Sequence, residues 1–321
     1  MKTRAIVLFS GGLDSILSAR LLKAQDIEVV CLKFSTPFFG QKALRDPGPE
    51  KARYREKYGL DVELVDISDE YVEMLKAPPH GYGRYLNPCL DCKILMVKKA
   101  RELMPRYGAS FIATGEVLGQ RPMSQRRDAM RIIERDSGAE GLLVRPLTAR
   151  RLKPTKVEED GLVTRGLLLG ISGRGRKAQI ELAEKFGITD YPAPAGGCVL
   201  ADPILSQRFR ELMKRHSNLS KQDFLLAQVG RSFFLDDDSW LVIGRNELEN
   251  REIEALKARG DVLITAKNTP GPTALWRFQK DRGLRYKVEA LFVNYIKKGA
   301  EDIVLQWRLE PGKSFLTVVR T

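Results

Sequence analysis

The stretch that decides the fold is Ala5-Ile6-Val7-Leu8-Phe9-Ser10-Gly11-Gly12-Leu13-Asp14-Ser15, which continues into Ile16-Leu17-Ser18-Ala19-Arg20-Leu21-Leu22. The apolar run reads as a buried strand and the following segment as a helix, with a glycine turn between them. A strand feeding a helix through glycines is an anion site. Backbone N–H groups converge there, and the helix start favours negative charge. No Gly-Lys-Ser/Thr follows the glycines, so the turn is not the mononucleotide P-loop and lacks that loop's γ-phosphate lysine. A tight turn with an N-cap serine is the structural alternative.

Strand and helix signals alternate over the first 115 residues. Ile27–Phe34, Val62–Ile67 and Phe111–Thr114 read as further buried strands. Helical patterns fall near 13–25, 49–58, 69–76 and 93–106. Such alternation predicts an α/β fold with a doubly wound parallel sheet. Ligands of these sheets bind beyond the carboxyl ends of the strands. That gathers Ser10–Ser15, Lys33-Phe34 and Thr114-Gly115 around one crevice. After about residue 205 the pattern changes to short strands and helices. A domain of residues 1–205 followed by a smaller α+β domain of 206–321 is therefore expected.

The chain has 321 residues, enough for about two domains. No apolar stretch is long enough to span a membrane. Met1-Lys2-Thr3 leads straight into the first strand, so no signal peptide is expected and a cytoplasmic location is the default. The net charge of +13 is spread over both halves and attracts polyanions, nucleic acid being the commonest. Two histidines, His80 and His216, are too few for a histidine-rich metal site. Four cysteines do not suggest a secreted disulfide scaffold in a chain of this size.

The second specific signal is Asn87-Pro88-Cys89-Leu90-Asp91-Cys92-Lys93. Two thiols at this spacing, on a loop–helix junction, suit metal binding or reactivity. A helix start and Lys93 are both expected to lower the thiol pKa. A third cysteine, Cys198, follows the turn Pro194-Ala195-Gly196-Gly197, while Cys31 lies in an apolar run and reads as core. Three thiolates are one short of a closed four-cysteine site. Inert buried thiols and a persulfide-carrying pair are the alternatives to a metal centre.

With these motifs in view, the chain resembles the PP-loop (N-type) ATP pyrophosphatases, whose fold is adenine nucleotide alpha hydrolase-like. Those enzymes cleave ATP between the α and β phosphates, leave AMP on a substrate oxygen and release pyrophosphate. The resemblance implies that Ser10, Gly11, Gly12, Leu13 and Ser15 hold pyrophosphate and that Asp14 organises Mg²⁺. It implies that Lys33, Phe34, Thr114 and Gly115 line the ATP site, joined by Gln120 and Arg121 after the fourth strand. The order of phosphate loop, Asn-Pro-Cys-x-x-Cys, Thr-Gly and a distant glycine-preceded cysteine is similar to the tRNA 2-thiouridine synthases over about 200 residues. On that resemblance Cys92 and Cys198 are the functional cysteines. Cys89, Cys92 and Cys198 would hold a [4Fe-4S] cluster with one iron open. The implied activity is ATP-dependent thiolation of tRNA: a base carbonyl is adenylated and its oxygen replaced by sulfur from a sulfide or persulfide donor.

Glu116 stands where many of those synthases have histidine, and Lys93 where they have asparagine. A sister family of tRNA-modifying PP-loop proteins shares Gly115-Glu116-Val117, Gly119-Gln120-Arg121-Pro122-Met123-Ser124-Gln125 and Pro194–Cys198. Its C-terminal domain is similar to the RNA-binding module of ribosome-quality-control factors. The basic stretches Arg126–Arg135 and Gly173-Arg174-Gly175-Arg176-Lys177 suit contact with tRNA phosphates, although the first reads equally as a solvated helix face. Trp240, Trp276, Phe278 and Trp307 are candidates for base stacking or, at strand spacing, for core. Asp236-Asp237-Asp238 reads as a hairpin turn. Two rivals remain: a PP-loop enzyme acting on a small molecule, and a non-catalytic RNA-binding protein.

Overall fold

The computed structural model describes residues 2–193, 198–296, 302–309 and 312–320. The chain divides into two compact units, Met1–Asp202 and Pro203–Thr321.

In the first unit the elements run β1 (Arg4–Leu8), α1 (Leu13–Lys23), β2 (Glu28–Ser35), α2 (Gln41–Arg45), α3 (Pro47–Tyr58), β3 (Asp61–Asp66), α4 (Ser68–Lys76), α5 (Cys89–Tyr107), β4 (Phe111–Thr114), α6 (Arg127–Ser137), β5 (Leu143–Val144), α7 (Lys156–Glu159) and α8 (Lys177–Lys185). The strands form one parallel sheet in the order β3-β2-β1-β4-β5. Side chains alternate across β1 and set the two faces. Ala5, Val7 and Phe9 pack with Leu13, Ile16, Leu17, Tyr54, Tyr58 and Ala183 on one side. Ile6 and Leu8 pack with Phe34, Val97, Ala100 and Ile133 on the other. Both faces are covered, which is why these strands read as continuous apolar runs.

The chain leaves β1 towards β2 on one side and reaches β4 on the other, so the order reverses between β1 and β4. That is the switch point where a crevice opens. Leu8 is paired in register with Thr114, so β1 and β4 end level, while β2 runs on past Leu32 to Ser35.

In the second unit α9 (Pro203–Arg215) and α10 (Lys221–Leu226) precede β6 (Arg231–Phe234), β7 (Trp240–Ile243), α11 (Glu247–Ala255), β8 (Val262–Ala266), β9 (Thr273–Arg277), α12 (Arg285–Val293), β10 (Asp302–Arg308) and β11 (Ser314–Arg320). The strands form an antiparallel sheet ordered β11-β10-β8-β9-β7-β6. Trp240, Trp276 and Trp307 are all buried, and Trp276 and Trp307 pack with Val288 and Phe292 of α12. Their burial makes them core rather than a stacking platform. Phe278 is half-buried and packs against His216, with ring centroids 4.1 Å apart. Asp237 does close the β6–β7 turn, accepting from the backbone of Ser239 (2.9 Å), Lys280 (3.0 Å) and Asp281 (3.1 Å). At the heart of the unit Arg277 is buried between Asp223 (2.8 Å) and Asp261 (2.7 Å).

Candidate functional site

The glycine turn is a shaped loop. Gly11 has a φ of +80°, a conformation that favours glycine, and the Tyr54 hydroxyl lies where a Cβ on it would stand. The Ser10 hydroxyl accepts from the Gly12 N–H at 3.3 Å and donates to Ser15 Oγ at 3.3 Å. Ser15 in turn donates to the Gly12 carbonyl at 2.8 Å. No side chain caps the start of α1, which leaves the leading N–H groups of that helix available to an anion.

Gly115 lies against the first turn of α1. A Cβ on it would stand 2.6 Å from the Asp14 carbonyl carbon and oxygen and 2.7 Å from the Ser15 nitrogen. The Ser18 hydroxyl adds a 3.2 Å bond to the Thr114 carbonyl. The end of β4 is thus fastened beneath the loop. Gln120 donates to Asp14 Oδ2 at 2.7 Å, and the exposed Arg121 follows it. Lys33 pairs with Glu50 and lies 3.3 Å from the Tyr54 hydroxyl, next to Gly11. Phe34 is buried in the sheet core, which gives it a packing role.

The thiols gather at the start of α5. Cys89 and Cys92 stand one helical turn apart, and the Leu86 N–H donates to the Leu200 carbonyl at 3.1 Å. That bond ties the loop before Cys89 to the segment after Cys198. Cys89 and Cys198 both push the Cys92 thiol upward, and Cys89 does the same to Cys198. The three sulfurs therefore share one electrostatic neighbourhood. The turn Pro194–Gly197 lies outside the described residues.

One expectation is reversed here. Burial pushes the Cys92 thiol up to about 12, outweighing the hydrogen bond from Tyr71 and the charge of Lys93, which act downward. Burial also raises Cys198. A helix start depresses a thiol only when the thiolate keeps enough solvation, and Cys92 does not. Cys31 is fully buried, its thiol raised further by burial, and belongs to the core as expected.

Sequence reading did not assign several partners. Asn87 Nδ2 lies 3.3 Å from both Cys89 Sγ and Met123 Sδ. Buried Tyr71 hydrogen-bonds Cys92, and its hydroxyl pKa is pushed well up by burial first and then by the thiols. Asp91 holds His80, accepting at Oδ2 from the His80 backbone N–H (3.1 Å), with Oδ1 2.8 Å from Nδ1. Nothing in the local pattern signals Tyr71, which is a helix residue far from the motif. Asn87 lies inside it.

Glu116 joins the two clusters. It follows Gly115, and its Oε1 lies 3.9 Å from Lys93 Nζ, one residue beyond Cys92. Its Oε2 accepts from Arg145 Nε at 3.1 Å and from the Thr114 hydroxyl at 3.1 Å. Burial pushes the Glu116 carboxyl up, but Lys93 and Arg145 hold it below the usual carboxylate range. An ionised, buried carboxylate therefore bridges the end of β4 and the thiol-bearing helix.

Among the described residues no group of three or more His, Cys, Asp and Glu side chains is arranged around a single metal ion. An iron–sulfur cluster makes a different demand, since its thiolates bind separate irons and stand further apart. Three neighbouring, partly buried thiols on two segments joined by a backbone bond are a donor set that fits such a cluster. Among the described residues no helix is long and apolar enough to cross a membrane.

Residues 1–152 match the family model described as thiamine biosynthesis protein (ThiI). A probable tRNA sulfurtransferase of Thermococcus kodakarensis is 29% identical over 137 residues, 42% of this chain and 34% of that protein. A tRNA-specific 2-thiouridylase MnmA of Geobacter metallireducens is 31% identical over 133 residues, 36% of this chain and 35% of that protein. The chain spans about a third of the length of these relatives. Among solved structures, a U34-tRNA thiolase NcsA from Methanococcus maripaludis with its [4Fe-4S] cluster is 16% identical, covers 70% of each chain and superimposes with a TM-score of 0.35. A 4-thiouridine synthetase in complex with RNA and ATP is 18% identical, covers 58% of this chain and 52% of that one, and gives a TM-score of 0.37. With its Ser-Gly-Gly-x-Asp-Ser loop at the switch point of a parallel sheet and this match over residues 1–152, the N-terminal unit is similar to PP-loop tRNA sulfurtransferases.

Proposed function

We propose that the protein is an ATP-dependent tRNA sulfurtransferase that adenylates a base carbonyl of tRNA and replaces its oxygen with sulfur. The observation that carries this reading is the Lys93–Glu116 contact, which joins the thiol-bearing turn of α5 to the strand end fastened under the phosphate loop. A carbonyl oxygen activated at one cluster would then lie near the sulfur source at the other.

Ser10, Gly11, Gly12, Leu13 and Ser15 would hold the leaving pyrophosphate through backbone and hydroxyl hydrogen bonds. Asp14, fixed by Gln120, is the hard oxygen ligand suited to Mg²⁺. Lys33, Thr114, Gly115 and Arg121 border the nucleotide, with Phe34 packed behind the strand end. Cys89, Cys92 and Cys198 would hold a [4Fe-4S] cluster, which when bound supplies an open iron for a sulfide. Tyr71 and Asn87 orient two of those sulfurs. The excess of basic residues in both units supports a polyanionic substrate, and a cytoplasmic location accords with tRNA.

Mass spectrometry of tRNA nucleosides from a strain lacking the protein tests the reading. One thiolated nucleoside should vanish and return with the wild-type gene, but not with a Cys198→Ser gene. An unchanged profile overturns it. The persulfide alternative is separated by anaerobic reconstitution. A cluster gives visible absorption and bound iron that are lost in each of the Cys89→Ser, Cys92→Ser and Cys198→Ser proteins.

A further inference from the structure

Arg176 is brought to the phosphate loop from a distant part of the chain. Its guanidinium lies 3.5 Å from Asp14 Oδ1, while Gln120 holds Asp14 Oδ2 at 2.7 Å. Gln120 Oε1 accepts from Gln179 Nε2 at 3.0 Å. Gln179 is fully buried in α8, so Gln120 and Asp14 are held from behind. The segment before Arg176 is fastened to the same wall: the Gly173 N–H donates to the Leu118 carbonyl at 2.7 Å, and Leu118 bridges Ser172. Arg176 is thus carried on a braced turn.

Its hydrogen bonding is incomplete. The buried Arg176 Nε has no partner among the described residues, nor does Gln179 Oε1. The contact to Asp14 sits at the outer limit for a hydrogen bond. A guanidinium carries five donors in a rigid fork that matches two oxygens of a phosphate group. Leaving buried donors of a charged group unmade is costly, and an anion at the loop would relieve it.

We propose that Arg176 is a ligand for the β and γ phosphates of ATP, and so for the pyrophosphate that leaves. It faces the Ser10–Ser15 loop and is held beside it by Asp14 until phosphate oxygens take over its fork. This rests on the ATP reading above. It assigns Arg176 to the nucleotide rather than to tRNA phosphates, the role the Gly-Arg-Gly-Arg-Lys pattern alone suggests.

Calorimetric titration of the full chain with inorganic pyrophosphate, ATP and AMP tests it. Arg176→Gln should weaken pyrophosphate and ATP about 10- to 100-fold, the range of a lost charge-assisted hydrogen bond. AMP affinity should stay unchanged. Arg176→Lys should fall between, because it keeps the charge without the fork. Lys185→Gln, the same charge change on the exposed end of α8, should bind all three ligands as wild type does. Wild-type pyrophosphate affinity in Arg176→Gln overturns the proposal. So does an equal loss for AMP and pyrophosphate, which would mark a purely structural residue. If Arg176→Gln does not fold, wild-type pyrophosphate affinity in Arg176→Lys overturns it in the same way. Failure of the wild-type protein to bind either ATP or pyrophosphate would bring down the ATP reading itself.

Discussion

Gly115 and Asp14 are in backbone contact, so close that a Cβ on Gly115 would stand 2.6 Å from the Asp14 carbonyl. Neither has room to yield, because Gly115 follows directly on the end of β4 and Asp14 lies in the first turn of α1. Gly115→Ala should therefore lift the loop away from the strand end, costing about 1–3 kcal/mol of stability. ATP affinity should fall with it. Urea unfolding together with nucleotide titration checks both, and an unaltered affinity would mean that the loop does not depend on this contact.

Lys33 is shared between the loop and Glu50. It pairs with that carboxylate and lies beside Gly11, where an incoming phosphate would compete for it. Lys33→Met should reduce ATP affinity by about tenfold or more. Glu50→Gln should leave affinity intact or raise it, since it removes a negative charge and frees the ammonium. Titration of the two variants with ATP distinguishes the roles.

The buried pair Glu116–Arg145 makes a stability prediction. Both side chains are almost fully buried. Arg145→Met takes from the ionised Glu116 its hydrogen-bonded partner and leaves Lys93 at 3.9 Å as its counter-charge, a change that costs about 3 kcal/mol. The double variant Arg145→Met, Glu116→Gln should recover part of that loss. If the single and double variants unfold at the same denaturant concentration, the charge of Glu116 is not what makes Arg145 necessary.

Acid should act on the second unit through Asp237. Burial pushes its carboxyl up, but the hydrogen bonds from Ser239 and from the Lys280 and Asp281 backbone hold it down to about 2. An unfolded aspartate titrates near pH ~3.9. The folded value is the lower one, so the stabilisation is complete above about pH 4 and disappears as pH falls towards about 2. Asp237→Asn should flatten this dependence. All three tryptophans lie in this unit, so tryptophan fluorescence reports on it alone during acid titration.

The first unit was legible because its signals are local. Apolar runs of strand length, a glycine turn at the right junction and helical periodicity gave β1, β2, β3 and β4 nearly to the residue. Two-residue β5 and four-residue α7 carry too little pattern to show. At the site, the loop residues and Gly115 are explained by backbone approach, which glycine advertises. Tyr71, Arg145 and Arg176 were not legible in those roles, because each acts across the fold from a segment whose local pattern suggests only a helix, an arginine-rich region or a basic turn. The thiol pKa was misjudged for the same reason: helix start and lysine are visible in sequence, whereas burial of Cys92 is a property of everything packed around it.

The backbone bond between Leu86 and Leu200 has a consequence for assembly. It closes a loop of about 115 residues, and the entropy of that closure must be met by the sheet and helices in between. A polypeptide still emerging from the ribosome would present Cys89 and Cys92 long before Cys198 exists. The three thiols can meet only on a finished N-terminal unit, so a cluster bound there, as proposed above, would also certify that translation and folding of that unit are done.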